Sequence, residues 1–75
     1  MQSDRDHRTV EEMRRSGGSF VHALAECAQC ADEENLRKIK VVFGDYWRRY
    51  DALAQDRFEQ ERARLVRDRL TEASE

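Results

Sequence analysis

The sequence predicts an all-α fold: a small bundle of three to four helices with a long charged C-terminal helix. The 75 residues contain no proline and only three glycines, and one interior proline would cost a helix about 3 kcal/mol. Arg, Glu, Ala and Leu are abundant, and all four favour helices. No segment alternates apolar and polar residues long enough to indicate a strand. At this length we expect one helical domain over residues 1–75.

The composition predicts a thin core. Hydrophobic residues make up 39% of the chain and charged residues 40%, with only six aromatic side chains. A core of this size supplies about 3–5 kcal/mol, and small proteins often compensate by self-association. We therefore expect a homo-oligomer, most simply a homodimer.

The charge balance and the short apolar runs limit which cellular location and which class of partner are expected. Fourteen basic and sixteen acidic residues give a net charge of −2, which is typical neither of a basic nucleic-acid arm nor of an acidic DNA mimic. The longest apolar run, Val41–Phe43, is far shorter than the roughly 20 residues of a membrane span. The first residues lack the pattern of a secretory signal. We expect a cytoplasmic protein that does not bind membranes, with both cysteines reduced.

The first helix is predicted from Val10 to about Ser16. Thr9 and Glu12 match the capping box, in which two side chains satisfy free amides of the first turn. Residues 1–8 are polar and are expected to be frayed. Gly17-Gly18 ends the helix, either as a left-handed C-cap or as a hinge.

The second helix is predicted from Phe20 to Ala31, with Ser19 as its N-cap. Its apolar residues recur at the spacing of a single helix face. The predicted buried face consists of Phe20, Ala23, Leu24, Cys27, Ala28 and Ala31.

A third helix is predicted to begin after Asp32, a good N-cap, and to end at Gly44. Arg37, Lys38 and Lys40 are expected on its solvated side. The predicted apolar face consists of Leu36, Ile39, Val42 and Phe43.

The fourth helix is predicted to begin after Asp45 as N-cap and to continue to about Arg69, with residues 70–75 frayed or disordered. Glu61 interrupts its apolar stripe. Beyond Phe58 the charged tail could be a solvated helix, a helix formed on a partner, or half of an antiparallel pair between two chains. The stripe consists of Trp47, Tyr50, Ala54, Phe58 and Leu65.

No set of residues indicates catalysis, and we expect neither an enzyme nor a bound metal or cofactor. Cys27 and Cys30 have the spacing of half a zinc site, but the chain has no second cysteine pair. The pair also lacks the βαβ context of a redox motif. We interpret Cys27 as a core residue and Cys30 as a half-exposed one. His7 and His22 have no nucleophile or carboxylate at a spacing typical of an activated pair.

The segment 37–50 is the candidate binding region, because it combines aromatic residues with five bases and one acid. Trp, Tyr and Arg dominate the energetics of protein interfaces. The predicted protein-binding residues are Tyr46, Trp47, Arg48, Arg49, Tyr50 and Phe58. The aromatic residues could instead belong to the core. In a second hypothesis, phosphates of a nucleic acid bind to Arg37, Lys38, Lys40, Arg48 and Arg49.

Three stretches carry a resemblance to a known group of proteins. They read GGSFVHALA over residues 17–25, ADEENL over 31–36 and FGDYWRRY over 43–50. With these motifs the chain resembles small uncharacterised proteins of bacteriophages and prophages over residues 16–50. Those proteins often have a proline before the last aromatic helix, where this chain has Gly44. The resemblance implies an accessory phage protein in a bacterial host cell. Many such proteins bind a host or defence component, as small anti-CRISPR proteins do.

Overall fold

The computed structural model describes residues 3–73, with side chains described to residue 69. Four helices follow one another: α1 (Asp4–Ser16), α2 (Ser19–Cys30), α3 (Glu33–Val42) and α4 (Gly44–Ala73). The described residues contain no strand. The predicted small all-α bundle with a long C-terminal helix is therefore confirmed.

Helix α1 begins six residues earlier than the sequence pattern predicts. Ser3 is its N-cap, and its Oγ accepts a hydrogen bond of 3.1 Å from the backbone N–H of Asp6. Thr9 is buried inside the helix, and its Oγ1 donates a 3.1 Å hydrogen bond to the carbonyl of Arg5. The capping box was therefore a wrong interpretation. Of the predicted frayed segment 1–8, the part from residue 4 onward is helical, and residues 1 and 2 lie outside the described part.

At the junction of α1 and α2, Gly17 does not adopt the left-handed conformation, and the two helices approach each other closely. Gly17 has φ −82° and ψ 154°, so neither the left-handed C-cap nor a need for positive φ applies. A Cβ atom at this position would lie 2.5 Å from the carbonyl oxygen of Met13 and 2.7 Å from Cβ of Val21. Gly17 therefore allows the close approach of the two helices. The N-cap of α2 is Gly18 and not the predicted Ser19. Because glycine has no side chain, this helix start lacks a side-chain capping bond.

Helix α2 is rotated relative to the predicted face. Leu24 and Ala28 are buried as expected, but Val21 and Ala25 complete the buried face. Apolar residues occupy almost the whole circumference of this helix, so spacing alone does not determine which side is covered. The predicted core residues Phe20, Ala23 and Cys27 are exposed.

The connection from α3 to α4 is a single residue. Asp32 caps α3 as predicted, and its Oδ1 accepts a 2.8 Å bond from the backbone N–H of Asn35. Only Phe43 separates the two helices. Gly44 opens α4 instead of ending α3, and Asp45 lies in the first turn of α4 rather than at its cap.

The core lies mainly between α1, α2 and α4. From α3 only Leu36 is buried, while Ile39 and Phe43 are half-buried against the core. The predicted core residue Val42 is 71% exposed. The core cluster consists of Val10, Met13, Val21, Leu24, Ala25, Ala28, Leu36, Trp47 and Tyr50.

Helices α1 and α4 run in the same direction and are joined by ion pairs. Arg5 binds Asp51 at 2.8 Å, and one to two turns further along both helices Arg57 binds Glu12 at 2.6 Å. These pairs fix the register between two helices that are otherwise held by apolar contacts.

The second half of α4 projects beyond the bundle. Ala54 is the last buried residue of the predicted stripe, whereas Leu65 is 64% exposed. Every residue from 56 to 69 is exposed, and we name this segment the α4 extension. A helix of 30 residues is about 45 Å long, which accounts for the longest dimension of the molecule, 51 Å. The helix continues to Ala73, beyond the predicted end at about Arg69; residues 74 and 75 lie outside the described residues.

Within residues 3–73, none of the helices combines the length and apolar character that crossing a membrane requires.

Candidate protein-binding surface

Three aromatic rings from different elements meet on the surface. Phe20 in the first turn of α2 lies 5.9 Å from Phe43 between the ring centroids, in an edge-to-face arrangement. The ring of Phe20 also lies 5.6 Å from that of Tyr46 in the first turn of α4. Aromatic pairs favour these distances and orientations. We call Phe20, Phe43 and Tyr46 the aromatic cluster.

The aromatic cluster is only partly covered by the rest of the chain. Phe20 is 54% exposed and Tyr46 is 40% exposed, while Phe43 is half-buried against the core. Two neighbouring α3 residues, Val41 and Val42, are even more exposed. Single exposed apolar residues are ordinary, but several together typically mark an interaction site.

The other predicted aromatic residues do not reach this surface. Trp47 and Tyr50 are buried in the core, so for these two the core alternative is correct in the folded chain. Phe58 lies further along α4, where the guanidinium of Arg8 covers its ring at 4.3 Å from the centroid. Of the predicted aromatic binding residues, only Tyr46 belongs to the aromatic cluster.

Phe20 was missed by the sequence interpretation, which placed it in the core. A signal was present, because α2 has more apolar residues than one buried face can hold. An aromatic residue at the first turn of such a helix is a candidate for a second, exposed contact.

Two arginines of the predicted site follow Tyr46 within the first two turns of α4. Arg48 is exposed and donates a 2.6 Å hydrogen bond to Asp45. Arg49 lies one turn after Tyr46, and its Cζ is 6.0 Å from the centroid of the Tyr50 ring. Both guanidinium groups remain open to solvent, since both residues are exposed.

The bases of the nucleic-acid hypothesis are partly neutralised. Lys40 binds Asp6 at 2.9 Å and lies 5.3 Å from the centroid of the Trp47 ring. Lys38 lies 3.8 Å from Glu34, and Arg37 is exposed on α3. With the pairing of Arg48, three of the five bases have a carboxylate partner, which reduces the charge available to phosphates.

Two carboxylates have altered acidity, and both hold α1 to α4. Glu12 is only 4% exposed; the hydrogen bond from Arg57 is the main cause of its lowered pKa, and a second bond from Ser16 adds to it. The pKa of Asp51 is lowered mainly by the hydrogen bonds from Arg5, at 2.9 and 2.8 Å. The hydroxyl proton of Thr9 is shared between the Arg5 carbonyl, at 3.1 Å, and Oδ1 of Asp51, at 3.3 Å. These groups are engaged in joining helices.

The two cysteines lie on the surface at the end of α2. Both Cys27 and Cys30 are free thiols and both are exposed, so the predicted core position of Cys27 is wrong. In the described part of the chain, no three His, Cys, Asp or Glu side chains form a group that could hold a metal ion.

Protein-family models, curated proteins and solved structures were compared with the chain, and none matches it.

Proposed function

We propose that this protein is a non-catalytic helical interaction module that binds and modulates another protein through the aromatic cluster. The observation that carries the proposal is the meeting of Phe20, Phe43 and Tyr46 at the surface of a protein with a thin core. Large apolar side chains contribute more stability when buried than when exposed. An interface would cover the rings that the fold leaves in water.

The chemistry around the aromatic cluster indicates the kind of partner segment. Arg48 and Arg49 lie on the same helix as Tyr46 and remain open to solvent. Arginine and aromatic residues together are typical of the energetically dominant part of an interface. We expect an apolar partner segment flanked by acidic residues, since charges at the rim of an interface select the complementary sign.

The resemblance to phage and prophage proteins supports a partner in the bacterial cytoplasm, either a host protein or a component of a defence system. An anti-CRISPR role is one form of this proposal. We also propose that the protein acts as a homodimer, because a small core is commonly supplemented by self-association.

The test compares protein capture by matched surface variants. The immobilised wild type is exposed to lysate of a phage-sensitive bacterium, beside the variant Phe20→Ser/Tyr46→Ser. The control is Leu53→Ser, which removes an exposed apolar side chain of α4 that belongs neither to the aromatic cluster nor to the α4 extension. We expect the same captured protein with the wild type and the control, and none with the aromatic variant. Equal capture by all three would contradict the proposal.

The alternative function is nucleic-acid binding by the basic residues of segment 37–49. Binding to phosphates weakens steeply as salt rises, because it releases counterions. A gel shift at low salt that disappears at higher salt, and that is abolished by Arg37→Glu/Arg49→Glu, would favour this alternative. The absence of any shift at low salt would exclude it.

A further inference from the structure

The charges of the α4 extension are segregated along the helix. Residues 56–61, which we call its acidic half, carry the acids Asp56, Glu59 and Glu61, and the one base among them, Arg57, is bound by Glu12. Residues 62–69, which we call its basic half, carry one acid, Asp68, and four bases. These bases are Arg62, Arg64, Arg67 and Arg69.

We propose that the α4 extension pairs with the same segment of a second copy of this chain in antiparallel orientation. A two-fold axis near Arg62 and Ala63 places the acidic half of each copy beside the basic half of the other. A parallel pair would instead place like charges together. Helices in contact have axes 8–10 Å apart, which is within the Debye length at low salt, so that opposite charges on the two helices attract each other with little screening.

The alternative explanations account less well for this order of charges. The helix dipole favours acids at an N-terminus and bases at a C-terminus, but its influence is limited to the first and last turn. The acids at 56–61 lie in the middle of α4, which begins at residue 44. Ion pairs within one helix require opposite charges three or four residues apart, and they do not require separate acidic and basic halves.

Two apolar residues close to the proposed two-fold axis are also left uncovered. Leu65 and Val66 are more than half exposed, and no other helix of the described chain covers them. Two aliphatic residues provide little hydrophobic area, so electrostatic attraction is the larger contribution to pairing. The dimer should therefore weaken as salt rises.

This inference specifies where the self-association in the proposed function takes place, and it does not depend on the aromatic cluster. The variant Phe20→Ser/Tyr46→Ser should dimerise like the wild type. A wild type that dimerises but captures no partner would refute only the assignment of the aromatic cluster as a partner surface. A wild type that is monomeric but still captures a partner would refute only the pairing of the α4 extension.

The experiment is sedimentation velocity at about 50 mM salt, where charges interact beyond 10 Å, on three charge variants. The first replaces the acids by lysine (Asp56→Lys, Glu59→Lys and Glu61→Lys). The second replaces three bases by glutamate (Arg62→Glu, Arg64→Glu and Arg67→Glu). The third carries both sets of substitutions, so that its residues 56–61 have a net positive charge and its residues 62–69 a net negative charge. Circular dichroism checks that each variant remains helical.

We expect the wild type to dimerise. The first and the second variant, which we call the one-sided variants, should each raise the dissociation constant of the dimer by at least about 10-fold, because like charges now face each other. Dimerisation should return in an equimolar mixture of the two one-sided variants. The third variant should dimerise by itself. The control Asp4→Lys/Glu33→Lys/Asp45→Lys changes the net charge equally outside the α4 extension and should dimerise like the wild type.

Salt provides a second measurement that needs no variant. At about 1 M salt, where the Debye length is about 3 Å, the wild-type dimer should dissociate. A wild type that is monomeric at millimolar concentration, a one-sided variant that dimerises as tightly as the wild type, or a dimer that strengthens with salt would each overturn the proposal.

Discussion

At the scale of single residues, the buried carboxylate of Glu12 has a clear structural role. It accepts hydrogen bonds from Arg57 and Ser16. The Arg57 side chain is itself 46% exposed to solvent. We expect Glu12→Gln to lower the free energy of unfolding by about 1.5–3 kcal/mol, the range for a hydrogen bond to a charged group. Urea unfolding followed by circular dichroism measures it. The matched control Glu11→Gln should change it by less than about 0.5 kcal/mol, and equal effects would contradict this role.

The same contacts predict a loss of stability in acid. Folding lowers the pKa of Glu12 from 4.5 and that of Asp51 from 3.8. The stability that these groups contribute is therefore complete above the unfolded-state values and is lost as pH falls through the lower folded-state values. The melting temperature of the wild type should decrease when the pH is lowered below about 4.5. The variant Glu12→Gln/Asp51→Asn should show a smaller fall over the same range; an identical pH profile would contradict the assignment.

Gly17 and Gly18 form a natural pair of positions for testing the α1–α2 junction. A methyl group at Gly17 would collide with Met13 and Val21, whereas nothing lies within 4 Å of one at Gly18. We expect Gly17→Ala to destabilise the fold by about 1–3 kcal/mol through overpacking. Gly18→Ala should cost less than about 1 kcal/mol, through the N-cap alone. Thermal unfolding of both variants measures the difference, and equal stability would show that the junction is not tight.

At the scale of the helices, the bundle and the part of the α4 extension beyond Glu61 are separable. Residues 62–69 are exposed and add nothing to the core. A chain ending after Glu61 should lose helical signal in circular dichroism, but its free energy of unfolding should change by less than about 1 kcal/mol at a concentration where the protein is monomeric. A chain ending after Tyr50 should unfold, because it lacks Asp51, Ala54 and Arg57. Strong destabilisation of the longer chain would show that the extension supports the bundle.

The sequence allowed the helices to be predicted better than their buried faces. The absence of proline and the cap at Asp32 located the helices, and the stripe of Trp47, Tyr50 and Ala54 located the buried face of α4. The face of α2 was predicted incorrectly because apolar residues such as Val21 and Phe20 surround that helix on more than one side. Only the packing against α1 decides which of them is covered.

The early start of α1 and the ion pairs between α1 and α4 could not be predicted either. Ser3 is as good a cap residue as Thr9, and the local sequence does not decide between them. The partners of Glu12 and Asp51 lie 45 and 46 residues away, so no local spacing relates them.

At the scale of the whole molecule, the described residues present two separate surfaces to solvent. The aromatic cluster lies where α2, α3 and α4 meet, and the α4 extension projects from the other end of α4. In this account the first binds a different protein and the second binds a copy of the same chain. The candidate site could be predicted only in part, because Tyr46 and its arginines lie close together in sequence whereas Phe20 is brought to them by the fold.

The most direct test of the aromatic cluster is photocrosslinking in living bacterial cells. A benzophenone amino acid replaces Tyr46 in one variant and Gln29, exposed at the far end of α2, in the control. Irradiation should join the position-46 variant to one discrete protein that mass spectrometry identifies, and this product should be missing in the control and after the added change Phe20→Ser. Irradiation that yields no product from position 46, or the same product from both positions, would contradict the claim that the aromatic cluster binds a protein.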